Sequence, residues 1–289
     1  MGIDRLWQRA LECSDAARAA TALVPLSTSV RTLQGESGVS FEIRHLTSAP
    51  PRHLRAEGPK PNPFRPWDPR LQIETIGANH VLILNKYPVQ IGHMLLITRT
   101  WQPQSGWLSL QDWNAVAMVD QDTTGLWFFN SGPSAGASQP HRHLQLLPRR
   151  KNDPLCPRHT WFEQRSKKHS QSVNHSEGDC LSKSCAVLPI NASPLSSQEL
   201  NQRYQQLCER CGLGSPNDSP QPSNSYNILL SRTWMAMILR QQEGSYGFSV
   251  NALGFAGYLL STASADCDWL NRNGPEALLK HVVQPIPSS

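Results

Sequence analysis

The stretch that most restricts how this 289-residue chain can fold is Gly136-Ala-Ser-Gln-Pro-His-Arg-His-Leu-Gln145, a small, polar, loop-like run that passes directly into strictly alternating residues. Extended backbone sends positions i, i+2 and i+4 to one side. A strand here therefore sets His141, His143 and Gln145 on one face and Arg142, Leu144 and Leu146 on the other. Two histidines in a strand also occur at ordinary surfaces and core rims, so spacing alone leaves both readings open.

The chemistry of the converging groups suits a phosphorus nucleophile. A neutral imidazole has an ordinary pKa of about 6.5, so near neutral pH it carries a free nitrogen lone pair and can form a covalent intermediate. The amide of Gln145 can donate to a phosphate oxygen without adding charge, and is a poorer group than a third histidine for activating water. Transfer is thus favoured over hydrolysis. Ser138 and Gln139, with flexible backbone at Gly132 and Gly136, can add further donors to a phosphate.

Composition narrows the classes. A net charge of +5 and a pI near 8.9 fit attraction of a polyanionic nucleotide and fit plain solubility equally well. No arginine-rich run interleaved with aromatics occurs, and Pro148-Arg-Arg-Lys151 is too short to serve, so nucleic-acid binding is not expected. No apolar run approaches the ~20 residues of a membrane span and no secretory start is present, so a cytoplasmic protein with no membrane partner is expected. Seven scattered cysteines do not make a disulfide framework, and reduced thiols are expected. Cys208-Glu-Arg-Cys211 has the spacing of half a zinc site but shares a helical stripe with Leu200, Tyr204 and Leu207, which favours burial. His159, His169, His175, Cys180 and Cys185 match no compact ligand pattern, and no metal site is expected among them.

Along the chain, a helix is expected over 6–21, a strand over 39–46, and an extended proline-rich loop over 50–69. His80–Leu84 and His93–Thr98 read as paired strands; Ser109-Leu-Gln-Asp112 is a capping box that starts a helix over 110–120; Leu126–Phe129 reads as the strand before the loop. Residues 151–184 turn polar and are expected to be a linker or mobile insertion with no regular element. A helix capped by Ser196 and ending at Gly212 follows, then strands over 226–230 and 234–239, and a run of small residues over 244–257 that permits close backbone approach. Three segments result: a catalytic lobe over 1–150, the linker, and a second lobe over 185–289. With no strand-linked Gly-x-Gly-x-x-Gly turn and no Walker-type loop, a parallel dinucleotide-binding sheet is disfavoured.

Several stretches in this order resemble one family: Asn62-Pro-Phe with Trp67-Asp-Pro, His80 through Pro88, His93 through Thr98, Phe129-Asn-Ser-Gly132, the His-x-His-x-Gln run, Ser225-Tyr-Asn-Ile-Leu-Leu, and Val250 through Gly257. The chain is similar over roughly 35–262 to the histidine-triad superfamily, in the nucleotidyltransferase branch whose last triad histidine is glutamine, and within it to the diadenosine tetraphosphate phosphorylase (ATP adenylyltransferase) family. The resemblance implies an α+β fold, with antiparallel sheets and flanking helices in two histidine-triad-like lobes forming one cleft; the second lobe resembles an ATP adenylyltransferase C-terminal lobe.

It also implies a reaction. His143 attacks the α-phosphorus of diadenosine tetraphosphate, expels ATP and becomes adenylylated; inorganic phosphate then takes the adenylyl group to give ADP. The backbone carbonyl of His141 would hold the other ring nitrogen of the nucleophile, and Gln145 a non-bridging oxygen. Substrate contacts carried over from the family fall on Lys60, Asn85, Lys86, Asn130, Gly136, Ala137, Ser138 and Gln139, and in the second lobe on Ser225, Tyr226, Asn227 and Arg232. Mg2+ or a similar divalent ion would travel with the polyphosphate, with no dedicated protein site. Two other readings stand beside this one: a uridylyl- or guanylyl-transferring hexose-phosphate enzyme of the same branch, which the missing zinc-binding cysteine pairs disfavour, and a non-catalytic nucleotide sensor.

Overall fold

The computed structural model describes residues 4–36, 38–47, 62–150, 153–168 and 181–287. Its first part runs α1 (Arg5–Ala19), β1 (Thr28–Gln34), β2 (Ser40–Leu46), β3 (Gln72–Ile76), β4 (His80–Leu84), β5 (Met94–Thr98), α2 (Leu110–Asp122), β6 (Gly125–Asn130) and β7 (His143–Pro148). The remainder runs α3 (His159–Lys168), β8 (Cys185–Pro189), α4 (Ser197–Arg210), β9 (Ser225–Leu230), β10 (Trp234–Arg240), β11 (Gly244–Ser245), β12 (Phe248–Ser249), α5 (Ala252–Ala256), β13 (Tyr258–Ser261), α6 (Cys267–Asn273) and α7 (Pro275–Lys280).

One eight-stranded antiparallel sheet spans both halves in the order β3-β4-β5-β7-β6-β9-β10-β8, joined across the middle by the β6·β9 pairing of Trp127 through Asn130 with Leu230 through Asn227. A smaller sheet, β1-β2-β13-β12-β11, holds one parallel pair, β13 with β2, among antiparallel ones. The chain is α+β, and its central strands are buried on both sides. Period-two alternation divides their side chains cleanly. From β10, Met235, Met237 and Leu239 join a core with α1, α2 and α4, while Trp234, Ala236 and Ile238 join a second core with Phe41 and Ile43 of β2, Phe162 of α3, and α5 to α7. Strands covered on both faces have no need of polar positions, which is why β4, β5, β6 and β10 read as unbroken apolar runs rather than alternating ones.

Local signals set several boundaries. The Ser109 side chain accepts from the Asp112 N–H and Asp112 accepts from the Ser109 N–H, so the capping box starts α2 at Leu110. Asp112 is also held by His80 at 2.9 Å and Arg142 at 3.1 Å, which pins the helix to β4 and to the start of β7.

One expectation differs, and two strands were not read. The segment 151–184 is not without regular structure: α3 forms in it because Phe162 is fully buried, stacked on Trp234 at 4.5 Å, an apolar anchor strong enough to order a polar stretch. His169, His175 and Cys180 lie outside the described residues, as does most of the 50–69 loop. β1 and β3, unrecognised in the sequence, form because each pairs with a neighbour, β2 and β4 respectively. Among the described residues no helix is long and apolar enough to cross a membrane.

Candidate active site

His143 opens β7, and its ring is oriented by its own chain: Nδ1–H donates to the His141 carbonyl at 2.8 Å. A carbonyl can only accept, so the proton sits on Nδ1 and Nε2 keeps its lone pair. Nε2 has no hydrogen-bond partner among the described residues, and the residue as a whole is 3% exposed. Phe64 lies over the ring at 5.3 Å between centroids and limits water there. His141 is spent differently: Nε2–H donates to the Thr98 carbonyl at 2.8 Å and Nδ1 accepts from Asn62 Nδ2 at 2.9 Å. Both its nitrogens are engaged, leaving its backbone oxygen as its link to His143.

Gln145, one pleat on, is aimed by a relay. The Tyr87 N–H donates to Asn85 Oδ1 at 3.1 Å, Asn85 Nδ2 donates to His93 Nδ1 at 3.1 Å, and His93 Nε2–H donates to Gln145 Oε1 at 3.0 Å. Each step fixes the next, so the amide oxygen of Gln145 is occupied and its NH2 is left for a ligand. No role for His93 was read from the sequence, where it stood only as the start of an apolar run; the relay closes across strands and has no local signature.

Burial pushes His93 and His143 down to about 4 from the usual value near 6.5. The neutral imidazole of His143 therefore prevails at pH 7. Both rings take up protons near 6.5 in the unfolded chain and near 4 in the folded one, so stability is intact above about 6.5 and falls as pH drops toward 4. The expected loss is about 2 kcal/mol per ring by about pH 5. Urea unfolding at pH 5 and 7.5 measures it, and equal midpoints would mean that the rings are not held neutral.

Beside Gln145 opens a cavity of ≈ 840 Å³ between the two sheets. The large sheet contributes Phe128, Gln145 and Leu147; β2 contributes Glu42 and Arg44; the second half contributes Ser249, Asn251, Tyr258 and Thr262. Asn85, Asn130, Gly136, Ala137 and Ser138, to which the resemblance carries substrate contacts, also line it. Gly136 has φ +80°, and a Cβ there would fall 2.8 Å from Asn251 Cβ, so the loop 131–142 docks directly on the second half at a position open to glycine alone. The cations here are few: Arg44 is bound to Glu42 at 2.5 Å.

The other anticipated contacts are placed elsewhere. Lys86 is exposed, its ammonium 5.7 Å from the Tyr87 ring centroid, and Gln139 is buried; neither lines the cavity. Lys60 lies outside the described residues. Ser225 opens β9 and pairs with Arg240. Tyr226 points to the opposite face, in the core with α4, its hydroxyl 2.8 Å from that of Tyr204. Asn227 faces the loop but is fully buried beneath it, donating to Asn130 Oδ1 and the Ala135 carbonyl at 2.8 Å and accepting from Arg240 at 2.6 Å. Arg232 binds Asp120 at the end of α2, where burial raises the carboxyl pKa and the guanidinium opposes that rise. None of these second-half positions lines the cavity, whereas Ser249, Asn251, Tyr258 and Thr262 do. The N-cap signal at Asn251, which accepts from the Leu253 N–H, was the available clue.

A second cleft of ≈ 920 Å³ is lined by His80, Asp112 and Arg142; Gln145 lines the first cavity, and His143 lies behind it, on the wall of neither.

Comparison with known proteins shows the family of the chain. The profile of the Ap4A phosphorylase N-terminal domain matches residues 1–160, and that of the ATP adenylyltransferase C-terminal domain matches 180–285. The chain is 27% identical over 248 residues to diadenosine 5',5'''-P1,P4-tetraphosphate phosphorylase 2 of Saccharomyces cerevisiae, covering 74% of this chain and 73% of the relative. It is 26% identical over 262 residues to protein APA1 of the same yeast, covering 80% and 78%. A crystal structure of yeast Ap4A phosphorylase Apa2 in complex with Ap4A superposes with a TM-score of 0.77 at 21% identity, covering 98% of each chain, which supports the two-lobed histidine-triad-like fold. The two domain matches together span almost the whole chain, and the chain belongs to the Ap4A phosphorylase family of nucleotidyltransferases.

Proposed function

We propose that this protein phosphorolyses diadenosine tetraphosphate, reversibly, to ATP and ADP through an adenylyl-histidine intermediate. The observation that carries the reading is the unpartnered Nε2 of His143, held as the lone-pair tautomer by the His141 carbonyl, next to a Gln145 amide whose oxygen is already occupied. In the first step Nε2 forms a bond to the α-phosphorus and the bond to the departing ATP oxygen breaks. In the second, an inorganic phosphate oxygen attacks that phosphorus and the P–N bond breaks, giving ADP and restoring the imidazole. The NH2 of Gln145 donates to a non-bridging oxygen as charge grows on it. Because the leaving group is a stable polyphosphate anion, a strong general acid is not needed. Phe64 over the ring and the buried nucleophile keep water from competing with phosphate.

The cavity walls support a nucleoside 5'-phosphate beside Gln145, one pleat from His143: the loop Gly136-Ala137-Ser138 at the phosphates, and Asn251, Tyr258 and Thr262 on the second half. Divalent metal, supplied as Mg2+ on the polyphosphate, would be held chiefly by substrate oxygens and water. Among the described residues no three His, Cys, Asp or Glu side chains converge on a point, so the protein would add at most one or two ligands such as Glu42 or Glu243 on the cavity wall.

Offering unlabelled diadenosine tetraphosphate with labelled inorganic phosphate tests the reading. Label in ADP is expected; label confined to phosphate, with AMP formed instead, would point to hydrolysis, and no turnover to a sensor. A variant sharpens the Gln145 argument. Gln145→His places a second acid–base group beside the intermediate and should raise the AMP-to-ADP ratio by about tenfold or more. An unchanged ratio would show that the amide does not set the choice of acceptor.

A further inference from the structure

Strands β6 and β7 separate at the nucleophile. Their pairing runs from Gly125↔Pro148 to Phe128↔Gln145 and stops. One step on, β6 remains with β9 through Asn130↔Asn227, and β7 remains with β5 through Ile97↔His143. Continued register would set Asn130 opposite His143. In the gap sits the side-chain amide of Gln104, 2% exposed. Its Oε1 accepts from the His143 N–H at 2.8 Å; its Nε2 donates to the Asn130 carbonyl at 2.7 Å and reaches the His143 carbonyl at 3.2 Å. A primary amide offers an acceptor and donors in nearly the geometry of a peptide unit, so it stands in for the missing rung. Gln104 is itself anchored: its N–H donates to the Pro140 carbonyl at 2.8 Å, and the Arg142 N–H donates to the Gln102 carbonyl at 2.9 Å.

We propose that Gln104 is the positioning residue of the nucleophile, stapling the two ends of the loop 131–142 and setting the attitude of the His143 ring toward phosphorus. The inference rests on the reading of His143 as nucleophile given above. Because Nδ1 of His143 is tied to the His141 carbonyl, any rotation of the backbone at 143 carries the ring with it. The loop so stapled presents Gly136, Ala137 and Ser138 to the cavity, so the clamp holds attacking nitrogen and phosphate loop in one frame. A displacement of ~1 Å at a reacting centre costs on the order of 10²-fold in rate, while binding spread over a large cavity is far less sensitive.

Two variants test this. Gln104→Met fills the space without the amide, and Gln104→Glu keeps the shape but has a donor only when protonated. Single-turnover formation of the covalent adenylyl-enzyme, followed by intact mass, is compared with the dissociation constant for ATP. Gln104→Met is expected to slow adenylylation by on the order of 10²-fold with affinity within about threefold. In Gln104→Glu a neutral carboxyl can bridge His143 and Asn130 as the amide does, whereas a carboxylate meets two carbonyl oxygens. Its rate relative to the parent should therefore rise as pH falls from about 8 to 5. A folded Gln104→Met that matches the parent within about twofold overturns the proposal, and so does a Gln104→Glu ratio that is flat with pH. Where Gln104→Met does not fold, the pH profile of Gln104→Glu decides alone. A parent that forms no adenylyl-enzyme would sink the functional reading instead, and is told apart by that control.

Discussion

Replacing His143 with alanine removes turnover, by ~10³-fold or more, while the chain stays folded and still binds nucleotide. The size of the loss follows from what Nε2 supplies. Neither neighbour can take over the role: both nitrogens of His141 are engaged with Thr98 and Asn62, and both nitrogens of His93 with Asn85 and Gln145. The fold should tolerate the change because the ring makes no hydrogen bond to a distant element; its one bond runs to the carbonyl two residues earlier, and the backbone N–H and carbonyl that Gln104 holds are kept by alanine. Truncation of a buried ring leaves a void, yet it also relieves the cost of keeping an imidazole out of water, so a small net change in stability is expected. Three measurements check this together: phosphorolysis rate, nucleotide affinity by calorimetry, and the thermal midpoint. Normal phosphorolysis in a folded variant would end the covalent mechanism.

Arg240→Met is expected to act on the opposite side of the ledger, costing about 3–5 kcal/mol of stability. Arg240 is 2% exposed and is lowered to about 10 by burial, so it remains a cation at pH 7. Its guanidinium donates to Asn227 Oδ1 at 2.6 Å and to the carbonyls of Val282, Gln242 and Glu243. Methionine matches the stem but leaves these acceptors without that donor in a dry interior. The same loss should reach the site. Asn227 holds Asn130 and the Ala135 carbonyl, and Asn130 Oδ1 also accepts from the Ala252 N–H, so the loop 131–142 and α5 share one polar hub. Chemical denaturation and rate constants measured well below the transition should therefore show a large fall in stability with a several-fold fall in activity. A variant with unchanged stability would mean that water or a shifted side chain satisfies the hub.

How much of this was legible depended on how far apart the interacting residues stand. The capping box at Ser109 and Asp112 spans a single helical turn, and the alternation from Arg142 to Leu147 spans a single strand; both are local, and α2 and β7 appear where the residues put them. Asn85, Asn130 and Gly136 to Ser138 lie on the cavity because they sit at the ends of those same elements. Tyr226 lies in the core and Asn227 beneath the loop rather than on the cavity wall: a strand covered on both faces carries no polar alternation to say which side faces the cavity. His93 reaches Gln145 across 52 positions, and Gln104 reaches His143 across 39, in each case through a side chain whose neighbours in sequence say nothing about it.

Residue order by itself determined the shared face of His141, His143 and Gln145, the helix and strand periods and the sequence of main elements, since each arises from periodicities of two or three to four residues that the backbone imposes on any chain. Tertiary structure alone decided which side chains line the cavity, which asparagine braces the loop beneath it, and how the imidazole at 143 is held. Those outcomes depend on strand register and on hydrogen bonds closed between distant segments, where a shift of one residue turns a side chain from cavity to core.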